Sequence, residues 1–129
     1  MIKKSRSEPR WIHFSFFVNL FKYSHRHQVK KLIAFTVREI LKDVFKVPAN
    51  DGPVKYFEIN ENDWFIPDGW KKEKVFIELL ILPGRKKETK AKLLKEITEQ
   101  VSNILKINKN AIIITIHEPL LDNWGLKIL

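Results

Sequence analysis

Few side chains in this sequence are equipped for chemistry, and the sharpest candidate is a cation. Arg85 follows Pro83-Gly84 and stands where an amphipathic helix begins. A positive charge there opposes the partial positive charge of a helix amino terminus, so the position suits a residue that holds an anion. His25 sits sixty residues earlier, and an imidazole at the mouth of a site can act as a base near neutral pH. Asp51 is a third candidate, within Asn50-Asp51-Gly52-Pro53, where an aspartate also serves simply to make the turn. Tyr56 and Trp124 could flank a ligand, although core packing accounts for both. With no Cys and only four His, the chain offers no thiolate nucleophile, no disulfide and no thiolate metal site. No HExxH, phosphate loop or Ser-His-Asp spacing is visible, so neither a metal nor a cofactor is expected.

These candidates hang on a chain that repeats itself. Shifted by sixty residues, Phe16 meets Phe76, Leu20 meets Leu80, Ile33 meets Leu93, Val37 meets Ile97 and Leu41 meets Val101. Val47 then meets Ile107, Val54 meets Ile114, Glu58 meets Glu118 and Trp64 meets Trp124. One offset held without a gap through strand, helix and strand marks a duplicated unit. In the first unit, Phe14 to Phe21 is aromatic and β-branched and reads as a strand. Ser24 can cap the helix that carries Ile33, Val37, Ile40, Leu41 and Val44 as one apolar stripe. Pro48 and the Asn-Asp-Gly-Pro cluster end that helix, and Val54 to Ile59 is the second strand. In the second unit, Val75 to Leu82 is a nearly continuous apolar run, as in a strand covered on both faces. A helix starting at Lys86 or Lys87 buries Leu93, Leu94, Ile97, Val101, Ile104 and Leu105, and Ala111 to Ile116 is the last strand.

Helical crossovers between strands imply parallel pairing within each unit. The expectation is an α+β fold of duplicated β-α-β units, a four-stranded mixed sheet with two helices on one face. At 129 residues this is one domain: an N-terminal extension over 1–13, a first unit over 14–64 and a second over 75–124. The bare face of the sheet then calls for a neighbouring copy. The intervening stretch Asn60 to Lys74 is a loop whose Trp64 and Trp70 cap the ends of the core.

The balance of 24 basic against 15 acidic residues gives a net charge of +9, which favours anionic partners. Much of that charge lies in Lys3, Lys4, Arg6 and Arg10 and along Lys86, Lys87, Lys90, Lys92 and Lys95, a basic tail and a solvated helix face. The run Trp11 to Phe21 is interrupted by His13, Ser15 and Asn19 and is too short to span a bilayer, so no membrane association is expected.

Three stretches in order resemble the tautomerase superfamily, the oxalocrotonate tautomerase and macrophage migration inhibitory factor-like proteins. Phe76-Ile77-Glu78-Leu79 with Leu82-Pro83-Gly84-Arg85 and a Lys-rich helix is similar to the family's strand, turn and helix. Glu118-Pro119-Leu120-Leu121-Asp122-Asn123-Trp124-Gly125 is similar to its carboxy-terminal signature. Val47-Pro48-Ala49-Asn50-Asp51, with Phe57-Glu58 and Ile66-Pro67, resembles the middle of its longer fused-repeat members. The resemblance covers residues 25 to 125 and implies a homotrimer acting on a small enol, keto or halogenated acid; the absence of Cys is compatible with a reducing cytoplasm, the expected location. It assigns Arg85 to the substrate carboxylate and sets Asp51 where some relatives activate water; Trp124 remains a candidate substrate contact beside its core reading.

The family's base is an amino-terminal proline, whose amine has a pKa low enough to be neutral at pH 7. Here residue 2 is Ile, and the repeat offset puts the expected proline near Ser15. Pro9 becomes a catalytic candidate only if the chain is processed to it. After Asp51 stands Gly52 where longer relatives carry Arg, and Leu126-Lys127-Ile128-Leu129 replaces the usual basic, glycine-rich tail. Three functions stay open: keto-enol isomerisation or related chemistry on a small carboxylate, a non-catalytic trimeric binding protein, and a basic nucleic-acid-binding β-α-β-β-α-β domain. The last lacks an aromatic RNA-binding motif on a central strand, so nucleic acid is not the expected partner.

Overall fold

The computed structural model describes residues 12–19, 27–47, 53–70 and 74–125. In chain order these form β1 (Ile12–Asn19), α1 (His27–Phe45), β2 (Val54–Ile59), β3 (Val75–Ile81), α2 (Lys87–Leu105) and β4 (Ile112–His117). Short 3-10 turns at Glu61–Asp63, Lys109–Ala111 and Leu121–Asn123 join or follow them. The strands lie in the order β2-β1-β3-β4. Each helix returns its unit to a parallel partner, β1 with β2 and β3 with β4, and the two units meet through antiparallel β1 and β3.

The core follows from two periodicities. On α1, Ile33, Val37, Leu41 and Phe45 recur every four residues, and on α2, Leu93, Ile97 and Val101 do the same; all are buried. On β3 the alternate residues Val75, Ile77, Leu79 and Ile81 have no exposed surface, because both helices pack on their side of the sheet. The other face of β3 carries Phe76 and Leu80, half-buried, and Glu78, exposed. Among the described residues the nearly continuous apolar run of β3 is therefore fully buried on one face only.

Two details differ from the sequence-based expectation. First, β1 already includes Ile12 and His13, ahead of the expected start at Phe14, while Ser24 lies outside the described residues. Second, the repeat is not gapless. Val54 stands forty residues after its β1 partner Phe14, whereas Ile114 stands thirty-seven after its β3 partner Ile77. The first unit therefore holds three more residues between its first strand and its helix. The repeat-mate of Val75 is Ile12, not Ser15. The reason is register: β1 positions 12, 14, 16 and 18 are the partners of Ile81, Leu79, Ile77 and Val75, the buried set.

The helix ends repeat closely. Lys46 and Lys106, sixty residues apart, both take left-handed backbone, with φ of 59° and 57°. At Lys106 the backbone N–H donates to Ser102 O, closing the helix with a left-handed cap.

Candidate active site at one end of the sheet

Strand direction decides which candidates share an end of the sheet. β1 starts at Ile12, opposite Ile81, where β3 finishes. β2 starts beside β1 at Val54, and β4 finishes at His117, opposite Leu80. Two segments therefore leave from one end: Leu82 to Lys86 after β3, and Glu118 to Gly125 after β4. Arg85 belongs to the first and Trp124 to the second.

The path to Arg85 depends on Gly84. Its φ of 129° lies where a side chain is strained, so a glycine turns the chain out of β3 toward α2. Arg85 then lies back over the end of α1, its guanidinium carbon 4.2 Å from the centre of the Phe45 ring. Its Nε and Nη1 are buried. A guanidinium on an aromatic face is oriented as well as charged, the property needed of a carboxylate anchor. The next residue, Lys86, is the N-cap of α2, with extended backbone and no side-chain cap. Arg85, Lys86 and Lys87 thus stand together at a helix amino terminus, where charge and dipole both favour an anion.

Trp124 is half-buried, and its indole Nε1 donates to Pro119 O at 3.0 Å. That bond fixes the turn after β4 and leaves the ring face as what the residue can offer a ligand. Beside it, Glu118 pairs with Lys90 of the first turn of α2 at 2.6 Å, tying the β4 exit to the helix start. Pro9, His25 and Asp51 lie outside the described residues. The described part of α1 starts at His27, at the opposite end of the sheet from Arg85, because α1 runs back to finish at Phe45 beneath Arg85.

Sequence reasoning missed the partners. Phe45 under Arg85 joins the two units and has no local signal. Lys90–Glu118 did have one: Lys30–Glu58, sixty residues earlier, is also 2.6 Å. Lys30 stands 5.2 Å over the Tyr56 ring, and burial followed by the Glu58 charge pushes the Tyr56 hydroxyl far above its ordinary pKa. Among the described residues no group of three or more His, Asp or Glu is placed to hold a metal ion, and no helix is long and apolar enough to cross a membrane.

Comparison with known proteins agrees with this architecture. The family model described as "Tautomerase enzyme" matches residues 76–127. A native fused 4-OT superposes with a TM-score of 0.79 at 16% identity, over 91% of this chain and 94% of its own. A malonate semialdehyde decarboxylase superposes at 0.68 with 21% identity, over 91% and 88%. A macrophage migration inhibitory factor-like protein from Entamoeba histolytica superposes at 0.71 with 17% identity, over 90% and 95%. No curated protein matches the sequence. At these identities the likeness is one of fold. The second unit thus matches the tautomerase family pattern, and the two units together have the fold of the fused 4-OT and macrophage migration inhibitory factor-like proteins.

Proposed function

We propose that this protein binds a small carboxylic acid at the Arg85 end of its sheet and carries out keto-enol isomerisation or related chemistry there, as a homotrimer in the cytoplasm. The observation that carries the reading is Arg85 itself: half-buried, stacked on Phe45, and grouped with Lys86 and Lys87 at the start of α2. Its position after Pro83-Gly84 is the one the family resemblance gives to the carboxylate-binding arginine. Trp124 contributes a ring face, and no metal or cofactor takes part in the proposed reaction.

The base is the open part of the proposal. No proline stands between Arg10 and the end of β1, and Pro9 is three residues ahead of Ile12. Chemistry in this protein therefore uses another base, for which Asp51, three residues ahead of β2, is the candidate, or a chain processed to Pro9; His25 precedes His27, which lies at the opposite end of the sheet, so it could serve only the site of a neighbouring copy. This same observation favours the second reading, a non-catalytic trimer that has kept the carboxylate anchor and lost turnover.

Support for the trimer comes from the sheet and from the relatives. The face turned away from the helices carries Phe57, 44% exposed, with Phe76, Leu80 and Ile113 half-buried, and among the described residues only the Trp64 loop packs on its edge. A fused 4-OT with a TM-score of 0.80 is described as an asymmetric trimer.

The test is ketonisation of phenylenolpyruvate and 2-hydroxymuconate by purified protein of verified amino-terminal mass, with Arg85→Ala alongside. Turnover that Arg85→Ala abolishes supports the enzyme. A folded protein without turnover, which binds a 2-oxo acid only while Arg85 is present, supports the non-catalytic reading. Binding indifferent to Arg85 removes both.

A further inference from the structure

The loop after β2 builds a groove that the proposed chemistry does not use. It lies at the end of the sheet opposite Arg85, where β2 finishes and β3 begins, and holds about 400 Å³. Trp64, Phe65, Trp70 and Phe76 wall it, with Asp63 and Glu78 among them. Many rings and a few charged groups around such a volume are the make-up of a small-molecule site. Trp64 packs on Phe76 with ring centroids 5.7 Å apart, but Phe65 is 90% and Trp70 53% exposed. Trp70 therefore does not cap the core as its sequence position suggests, and the two outer rings do little for folding.

The loop is held in shape by its own backbone. The Trp70 backbone N–H donates to Pro67 O at 3.1 Å across a turn whose third residue, Gly69, has φ 89°, where a side chain is strained. On the other wall the Asp63 backbone N–H donates to Asn60 O at 2.9 Å. Rings fixed in this way lose little freedom when a ligand arrives. The charge here is also distinct. Glu61, Asp63, Asp68, Glu73 and Glu78 stand against Lys71, Lys72 and Lys74, so residues 60–78 are net acidic in a chain of net charge +9. Of these lysines, Lys74 is in the groove wall, its Nζ 5.4 Å from the centre of the Trp70 ring and 3.4 Å from Asn110 O. The Trp70 face thus already carries a cation, supplied by the chain itself.

We infer that this groove binds a small organic cation, a quaternary or methylated ammonium, seated against the aromatic walls and balanced by Asp63 and Glu78. Ring faces attract cations through their quadrupole, and a methylated ammonium gives up its water more readily than a bare one. The carboxylates add Coulomb attraction and repel the carboxylic acids proposed for the Arg85 end, so the two ends select opposite charges. Lys74 is the resident competitor, and a bound cation displaces its ammonium from the Trp70 face. One chain supplies every wall, so the site needs no second copy to be complete. It also stands independently of any chemistry at Arg85.

The test is calorimetric titration of the full chain with choline and with its neutral isostere 3,3-dimethylbutan-1-ol, tryptophan fluorescence being followed in parallel. Choline is expected to bind about tenfold more tightly than the isostere. Among variants with unchanged circular dichroism, Trp70→Leu is expected to weaken choline about fivefold and Glu78→Gln about threefold. Lys74→Met is expected to tighten it about threefold, because the competing ammonium goes while an apolar stem stays. Arg85→Ala is expected to leave choline binding as it is, which separates this site from the carboxylate site. Equal binding of the two isosteres makes the groove merely apolar and overturns the inference. Folded protein that ignores choline overturns it too, as does choline binding that Trp70→Leu leaves unchanged or Lys74→Met weakens. Phosphatidylcholine displays the same trimethylammonium group, so vesicles of that lipid are the last arm. Protein that sediments with them but does not bind free choline overturns the small-molecule site in favour of a lipid surface.

Discussion

Arg85 of the second unit lies 4.2 Å over the ring of Phe45 of the first, so the cation proposed to hold substrate is held in turn by the other half of the chain. Phe45 is the last residue of α1 and is 3% exposed. Phe45→Leu keeps an apolar side chain in the core and removes the ring face. The expected loss of carboxylate affinity is about fivefold, close to 1 kcal/mol, within the range of a partly desolvated cation–aromatic contact. Arg85→Lys is expected to lose more, because an ammonium keeps the charge but neither the stack nor the two-pronged geometry. Calorimetry with a 2-oxo acid on folded variants checks this. Equal affinity for Phe45→Leu and wild type removes the positioning role of Phe45.

Lys90–Glu118 and Lys30–Glu58 are the same interaction made twice, each at 2.6 Å and each between side chains less than one-third exposed. Each ties the first turns of a helix to the end of its unit's second strand. Double-mutant cycles with Lys→Met and Glu→Gln are expected to give a coupling of about 1 kcal/mol for each pair, above the usual yield of a fully exposed ion pair. The two couplings are expected to agree, since distance and exposure agree. A pair with no measurable coupling has no structural role, whatever its spacing.

The helices and the second strands were legible because their signals are local and periodic. Ile33, Val37 and Leu41, with Leu93, Ile97 and Val101, mark both buried stripes, and β2 runs from Val54 to Ile59 as its composition implies. The register of β1 was not legible, because an aromatic, apolar strand compares well with β3 at more than one offset. Only the hydrogen-bonded pairing of Phe14 with Leu79 and with Val54 fixes it. At the site, Arg85 could be read from its turn, but what it rests on could not, since Phe45 is forty residues away. The two repeated tryptophans also part company. Trp124 Nε1 donates to Pro119 O, whereas Trp64 Nε1 is buried without a hydrogen-bond partner among the described residues. The repeat thus keeps the Lys–Glu pair at the same distance in both units but not the tryptophan hydrogen bond.

Lys106 holds φ 57° and ψ 48° at the end of α2, a conformation that costs a residue with a Cβ but not glycine. Lys106→Gly is therefore expected to stabilise the protein by about 0.5–1 kcal/mol, after allowing for the greater freedom of glycine in the unfolded chain. Lys46→Gly, at φ 59°, is expected to do the same at the end of α1. Urea denaturation compares the midpoints at constant slope. A lower midpoint for Lys106→Gly shows that its side chain does more at the helix end than the backbone geometry implies.

Tyr56 is expected to weaken the fold at alkaline pH. Burial, and then the Glu58 carboxylate, raise its hydroxyl pKa well above the ordinary value, so the folded chain keeps this phenol neutral where the unfolded chain ionises it. The sign follows from proton counting. Above the unfolded pKa of about 10 the unfolded state binds fewer protons, and stability falls as pH rises. Below that pH the group contributes no slope. Tyr56→Phe keeps the buried ring and removes the titrating group, so its stability is expected to decline less steeply between pH 10 and the pH of unfolding. Denaturant midpoints across that window, with phenolate absorbance followed in parallel, make the comparison. If Tyr56 ionises in the folded wild type at the ordinary phenol pKa, or if the two pH slopes coincide, the phenol is open to solvent and the Lys30–Tyr56–Glu58 corner is looser than the structure describes.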